Sequence, residues 1–146
     1  MILRVFLLAL LLAAAGPTAW AQRTAKPVPK LAPSFFTTYT YLSYSILDIG
    51  TSPEPMAAQG VGGTLLLRPD GTYQKRLTLS ANGGPMRFDQ DGRFVFTGDQ
   101  ITFSYTDKKG QARTDQGRFQ LRNGLLTLTI EGYPAGNKSI YTLRQQ

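Results

Sequence analysis

Apolar and polar side chains alternate along most of the chain after residue 63. In the segments 94–96, 101–105 and 126–130, apolar side chains occupy every second position, and Thr, Ser or Val lies between them. A period of two places one set of side chains against a core and the other set in water, as in a half-buried β-strand. No segment after residue 21 has convincing helical periodicity. The pattern therefore predicts an all-β domain.

Glycine-bearing turns separate these apolar runs at intervals of roughly ten residues, a spacing typical of antiparallel hairpins. Glycine, and less readily Asn or Asp, supplies the positive φ that tight turns require. We therefore expect strands that pair mostly with their sequence neighbours, in an antiparallel up-and-down β-barrel of about eight strands. The predicted turns are Pro69-Asp70-Gly71, Asn82-Gly83-Gly84, Asp91-Gly92, Gly98-Asp99, Lys109-Gly110, Asn123-Gly124 and Gly136-Asn137.

Two segments before residue 64 depart from the regular alternation. Phe35–Leu47 has apolar side chains on both alternating sets, so we expect a long bent strand whose buried face changes, rather than a strand covered on both sides. The turn-rich connection 49–63 is longer than a hairpin loop. We expect it to cross one end of the barrel or to carry a short helical turn at residues 56–59. Long loops on β scaffolds often carry binding residues, which makes this connection a candidate lid.

The N-terminus has the organisation of a secretory signal peptide. Arg4 precedes an apolar stretch at 5–15, and Ala19-Trp20-Ala21 places small residues at the two positions that a signal peptidase reads. We predict cleavage after Ala21 and a secreted or periplasmic protein. A membrane anchor is the disfavoured alternative, because about eleven apolar residues span only about half of the hydrocarbon core.

We expect one domain after the leader. Residues 22–33 contain three prolines and three basic residues without apolar periodicity, which predicts a disordered linker. The domain then extends over residues 34–146. No later segment is apolar enough to be a transmembrane helix, because polar residues interrupt every strand-like run.

Three segments together carry a characteristic order of strands and turns: residues 63–73, 92–103 and 117–128. They combine an apolar strand, an Asp-Gly turn and a Thr-Tyr strand with Gly-x-aromatic strands and a Gly-Asp turn. This arrangement resembles small bacterial lipocalin-like (calycin-type) secreted domains over about residues 35–144. The Gly-x-Trp opening usual in lipocalins is missing, since the only tryptophan, Trp20, lies in the leader. The resemblance implies an up-and-down barrel with an apolar cavity and no catalytic residues.

The chain contains neither histidine nor cysteine. Ser-His-Asp and Cys-His arrangements are therefore impossible within it, as are zinc sites built from imidazole and thiolate. Most of the nine carboxylates lie in predicted turns, where Asp caps the backbone. We predict a protein that is not an enzyme and that uses no cofactor or metal. The enzyme alternative requires two carboxylates brought together inside the barrel.

Aromatic side chains predicted to face inward are the positive signal for ligand binding. In an eight-stranded barrel such rings either fill the interior or line a pocket for one small ligand. Lys75 shares the inward set of its strand and could pair with an acidic ligand head, although a lysine at the rim that reaches water is the alternative. The candidate ligand-binding residues are Tyr73, Lys75, Phe94, Phe96, Phe103, Tyr105 and Phe119.

Basic residues outnumber acidic ones, 16 to 9, and removal of Arg4 with the leader leaves a net charge of +6. The favoured hypothesis is a secreted or periplasmic lipocalin-like protein that binds a small apolar or amphipathic ligand. The alternative is a basic interaction module that binds an anionic macromolecule or cell-envelope component. That module would use Arg113, Arg118, Arg122 and the loop at Lys108-Lys109. The sequence contains no specific nucleic-acid-binding motif.

Overall fold

Nine β-strands and one short 3₁₀ helix make up the described part of the protein. The computed structural model describes residues 33–146, and the predicted leader (1–21) and the predicted linker up to residue 32 lie outside them. Within residues 33–146 no helix is long and apolar enough to cross a membrane. The 3₁₀ helix Pro33–Phe35 precedes β1 (Thr38–Leu47), β2 (Met56–Ala57), β3 (Gln59–Leu67), β4 (Thr72–Ala81), β5 (Gly84–Thr97), β6 (Gln100–Thr106), β7 (Ala112–Arg122), β8 (Leu125–Glu131) and β9 (Lys138–Gln145).

The strands form one closed sheet. From β3 to β9 each strand pairs antiparallel with the next strand along the chain, and β1 pairs with both β3 and β9. The β1–β9 ladder closes the barrel, so the predicted antiparallel up-and-down barrel of eight strands is confirmed. The short strand β2 is additional and pairs with β1 at Ser45 and Ile46. A two-residue turn joins β4 to β5, with positive φ at Asn82 and Gly83 as predicted.

The first strand changes its buried face at a bulge. Its register with β9 shifts between Tyr41 and Ser43, so Leu42 is an extra residue in the ladder. Before the bulge Tyr39 and Tyr41 are buried, and beyond it Tyr44 stacks on an interior tyrosine of β9. An inserted residue shifts the alternation by one position, which reverses the faces of the strand. The predicted bent strand is confirmed.

The connection 49–63 does not contain the predicted helical turn at 56–59. This segment instead forms β2 and the start of β3, and the Ala58 N–H donates a 2.8 Å hydrogen bond to the Tyr44 carbonyl. The backbone of β1 beyond its bulge needs partners, and an extended neighbour satisfies more of its groups than an isolated helical turn does. Residues 49–55 are the irregular part of the connection. The prediction of a lid therefore applies to these residues.

The predicted turn at Asp91-Gly92 is absent, because β5 runs through it without interruption. Gly92 pairs with Tyr73 of β4 and with Tyr105 of β6. A Cβ atom at Gly92 would lie 2.1 Å from the Ser104 carbonyl oxygen and 3.0 Å from the Tyr73 ring. This glycine allows two strands and an aromatic ring to approach closely instead of turning the chain.

One end of the barrel is filled, and Phe35 lies at its centre. We predicted Phe35 at the start of the first strand, whereas it belongs to the 3₁₀ helix, because turning the chain inward there buries the ring. Its ring centroid lies 6.5, 6.2 and 5.2 Å from those of Phe94, Phe96 and Phe119. The Tyr39 hydroxyl donates a 2.8 Å hydrogen bond to the Phe35 carbonyl. Other buried residues of the core are Leu65, Leu67, Ile101, Leu126 and Leu143.

Replacing Phe35 with alanine tests the importance of this ring. The side chain is 1% exposed, so we expect Phe35→Ala to lower the free energy of unfolding by about 3–5 kcal/mol, measured by urea denaturation. Val95→Ala is the control, since Val95 is 67% exposed and its loss should change stability by no more than about 0.5 kcal/mol. Equal effects of the two substitutions would contradict a core role for Phe35.

Two adjacent glycines of β3 provide a matched test of the sheet geometry. Gly63 has a φ of +97°, and a Cβ atom there would lie 1.8 Å from the Arg76 carbonyl oxygen, whereas one at Gly62 would have no neighbour within 4 Å. We expect Gly63→Ala to destabilise by roughly 3 kcal/mol or more, since strain and overpacking combine. Gly62→Ala should remain within about 1 kcal/mol of the wild type in the same urea titration. A tolerated Gly63→Ala would contradict the β3–β4 pairing.

Candidate ligand-binding site

The other end of the barrel forms an open cup with a volume of about 170 Å³. Its wall is apolar, and its polar groups come from one lysine and two tyrosines. Directly opposed residues of an antiparallel pair share a face, so the inward residues of β1, β4, β5 and β9 meet here. The residues that line the cup are Tyr44, Ile46, Lys75, Leu77, Leu79, Phe88 and Tyr141.

A second cavity, the inner cavity, adjoins the cup, because Lys75 and Tyr141 line both. Its volume is about 30 Å³. One water molecule requires roughly 10–15 Å³, so the inner cavity is too small for an organic ligand. Of these two cavities, the cup is the one with room for such a ligand. The other residues that line the inner cavity are Tyr41, Leu65, Tyr73, Gln90, Phe103, Asp115, Leu128 and Ile130.

Lys75 lies where the two cavities meet. Its Nζ donates a hydrogen bond to the Tyr141 hydroxyl at 3.5 Å and lies 4.9 Å from the centroid of that ring. This second distance is typical of a cation–π contact. The four ion pairs among residues 33–146 do not include Lys75. The ammonium group therefore faces an apolar cup without a carboxylate at ion-pair distance.

Asp115 is the carboxylate that lines the inner cavity. It lies on β7 opposite Phe103, and the Tyr105 hydroxyl donates a 3.5 Å hydrogen bond to its Oδ1. Burial raises the pKa of Asp115, while Lys75 and the Tyr105 hydroxyl lower it by less. Burial likewise lowers the pKa of Lys75, opposed in part by the charge of Asp115 and by Tyr44. The loss of hydration thus outweighs the mutual attraction of the two groups.

Tyrosine hydroxyls supply the remaining polar atoms. Tyr44 and Tyr141 stack with ring centroids 4.6 Å apart, and the Tyr44 hydroxyl lies 3.2 Å from the Ser139 Oγ. The Tyr73 hydroxyl donates a 2.7 Å hydrogen bond to Gln90 Oε1. Burial raises the pKa of Tyr44, Tyr73 and Tyr141, so these hydroxyls remain protonated donors near neutral pH.

The seven predicted ligand-binding residues divide between the two ends of the barrel. Tyr73, Lys75 and Phe103 line the inner cavity, and only Lys75 of these also lines the cup. Tyr105 is near the site through its contact with Asp115. The remaining three belong to the filled end, where their rings contact Phe35 and line neither cavity: Phe94, Phe96 and Phe119.

Sequence reasoning missed several residues of the site. Asp115 is not among the predicted ligand-binding residues, yet it lies within β7 and lines the inner cavity. Counting back in steps of two from Phe119 places Asp115 inward, and the same count from Phe94 places Gln90 inward. No such count finds Tyr44, because the bulge in β1 shifts the alternation.

The surface proposed for the alternative function is partly neutralised. Arg113 Nε lies 2.9 Å from Asp107 Oδ2, and Arg118 Nη1 lies 2.6 Å from Asp99 Oδ2. Residues 33–146 contain twelve basic and nine acidic side chains, a net charge of +3. Exposed ion pairs of this kind reduce the field available to an anionic partner. The structure therefore gives the basic surface less support than the cup receives.

Comparisons with known proteins do not identify a relative. No family model matches the sequence, and no curated protein matches it either. Among residues 33–146 no group of three or more carboxylates is arranged to hold a metal ion.

We expect Lys75→Met to raise the free energy of unfolding at pH 7 by about 1 kcal/mol, because it removes a poorly hydrated cation from an apolar site. The pKa of Lys75 is lower in the folded protein than in the unfolded chain. The folded wild type therefore binds fewer protons and gains stability as the pH rises between those two values. The difference in stability between Lys75→Met and the wild type should therefore decrease as the pH rises over that range. Thermal unfolding experiments at a series of pH values measure this difference.

Lys108→Met is the control, because Lys108 is exposed in the β6–β7 turn and its removal deletes the same charge. We expect little change in stability from this variant and no pH-dependent advantage. A destabilised Lys75→Met protein, or the same pH profile for both variants, would contradict a desolvated lysine at the cup.

Proposed function

We propose that this protein is a secreted or periplasmic, non-enzymatic, lipocalin-like binder of a small amphipathic molecule. The apolar body of the ligand occupies the cup, and its acidic head contacts Lys75. The observation that carries the proposal is the position of Lys75, whose Nζ faces an apolar cup without a carboxylate at ion-pair distance.

The charge of Lys75 favours an anionic head group. A cation that loses hydration without a carboxylate at ion-pair distance is costly, and an acidic ligand would supply that carboxylate inside the barrel. The hydroxyls of Tyr44 and Tyr141 lie beside the ammonium group and provide further donors to a carboxylate. Hydrogen bonds to charged groups are stronger than those between neutral groups, so this head would fix the orientation of the ligand.

The dimensions of the cup favour a small ligand. Its volume of about 170 Å³ is close to the roughly 150 Å³ of an apolar cavity that accepts benzene. The cup is open, and Ile46, Met86 and Phe88 leave 40–42% of their side chains exposed near its mouth. A medium-length alkyl chain could therefore continue past the cup along this apolar rim.

The distribution of carboxylates supports binding rather than acid–base catalysis. A carboxylate mechanism needs two acids with separated pKa values in one site. Of the carboxylates in residues 33–146, Asp115 alone lines the cavities described above.

The closed up-and-down barrel supports the lipocalin-like resemblance, and the predicted leader supports export.

Octanoate and octanol provide a direct test, because they share an alkyl chain and differ in head-group charge. By isothermal titration calorimetry at pH 7 we expect octanoate to bind more tightly than octanol. Lys75→Met should weaken octanoate binding by roughly 1.5–3 kcal/mol, the range for hydrogen bonds to charged groups, or about ten- to a hundredfold.

The matched control is Lys108→Met, which should bind octanoate as the wild type does. Octanol affinity should change little in either variant, because its head carries no charge. Octanoate affinity should fall at high pH as Lys75 loses its proton. Absence of binding by both ligands, or equal loss in both variants, would contradict the proposed site.

A further inference from the structure

We propose that Lys75 also captures small apolar aldehydes or ketones covalently, as a Schiff base formed in the cup. The inference rests on the proposed function, since the same cup must admit an apolar molecule. It adds a second ligand class, carbonyl compounds, and a covalent mode of binding. The process is stoichiometric capture and involves no turnover.

The position of Lys75 separates it from the other described lysines. Its Nζ lies inside the barrel beside Tyr141 and borders both cavities. Lys108 and Lys109 are exposed in the β6–β7 turn, and Lys138 lies opposite Glu131 at the start of β9. Lys75 is thus the lysine among residues 33–146 that an apolar molecule in the cup would meet.

The surroundings of Lys75 make the neutral amine, which is the nucleophilic form, more populated than it is in an exposed lysine. Burial lowers its pKa, and only part of that effect is offset by neighbouring groups. A lysine made less basic by an apolar pocket is a recognised route to an activated amine. The titratable groups that face it come from β1, β4, β6, β7 and β9, namely Tyr41, Tyr44, Tyr73, Tyr105, Asp115 and Tyr141.

The capture reaction needs no oxidant, reductant or metal. The Nζ lone pair attacks the carbonyl carbon, the C–N bond forms, and the π electrons move to oxygen. Proton transfer from nitrogen to oxygen yields a carbinolamine. Protonation of its hydroxyl then breaks the C–O bond, the nitrogen lone pair forms the C=N bond, and one water molecule leaves an iminium ion. Loss of the remaining N–H proton returns the proton that the hydroxyl had taken up. The amine and the carbonyl compound thus become an imine and water.

Asp115 is positioned to assist the loss of water. It lines the inner cavity together with Lys75, and burial raises its pKa, so its protonated form is more populated than that of an exposed carboxyl. In that form it can donate a proton to the departing hydroxyl and recover one from the nitrogen. General acids of this kind accelerate proton-coupled steps by about a hundredfold or more.

Benzaldehyde with sodium cyanoborohydride is the probe, because its ring suits the volume of the cup and reduction makes the adduct permanent. Intact-mass measurement at pH 7 should reveal one added benzyl group, and peptide mapping should place it on Lys75. We expect labelling of Lys75 at least about tenfold faster than of Lys108 or Lys109, since the cup holds the aldehyde beside the amine. Labelling spread evenly over the lysines would overturn the inference.

Variants and competition sharpen the result. Lys75→Met should abolish the rapid labelling, Lys108→Met should leave it unchanged, and excess octanoate should protect Lys75. Asp115→Asn should slow adduct formation at least about tenfold, and an unchanged rate would overturn the role of Asp115.

The wild-type protein used for labelling is also titrated with octanoate, which separates the two proposals. If octanoate binds but Lys75 is not labelled rapidly, the covalent capture alone is overturned. Absence of both overturns the cup as a binding site.

Discussion

Closure of the barrel by the β1–β9 ladder is the interaction on which the rest of the structure depends. Eight residue pairs join Tyr39–Leu47 of β1 to β9, from one end of residues 33–146 to the other. An open sheet would leave two unpaired edges and an uncovered apolar face. Closure removes both problems and creates an interior of fixed size, in which every inward side chain competes for the same space.

The bulge at Leu42 allows one strand to serve both halves of this interior. Tyr39 and Tyr41 point inward before it, and Tyr44 contributes to the cup beyond it. Phe35 completes the filled half, where rings pack against one another. Aromatic residues therefore fill one end of the barrel and line an open space at the other.

Burial of the charged groups that line the inner cavity lowers the stability of the folded protein. Lys75 and Asp115 both lose hydration, and in each case burial outweighs the attraction of the opposite charge. We expect an entirely apolar layer to be more stable. Charges that a site requires inside a core commonly lower the stability of the protein in this way. The same loss of hydration links the two proposals, because it favours an anionic partner for the protonated lysine and nucleophilic attack by the neutral one.

The all-β barrel and the inward position of Tyr73, Lys75 and Phe103 follow from the amino-acid sequence alone. Alternation with a period of two and turn glycines are local properties, and they follow from the backbone geometry of a few neighbouring residues. Local patterns also predicted the bend in β1. They misassigned Gly92, because a glycine that permits close strand approach has the same sequence as one that turns the chain.

The three-dimensional packing of the strands sets which inward residues fill the core and which surround the cup. Phe94 and Phe119 meet Phe35, whereas Lys75 meets Tyr141, 66 residues away along the chain. Asp115 joins the inner cavity because the registers of β6 and β7 carry it there. These contacts depend on register, on a single bulge and on closure of the sheet. Each of these couples distant strands, so no short stretch of sequence contains the information that sets them.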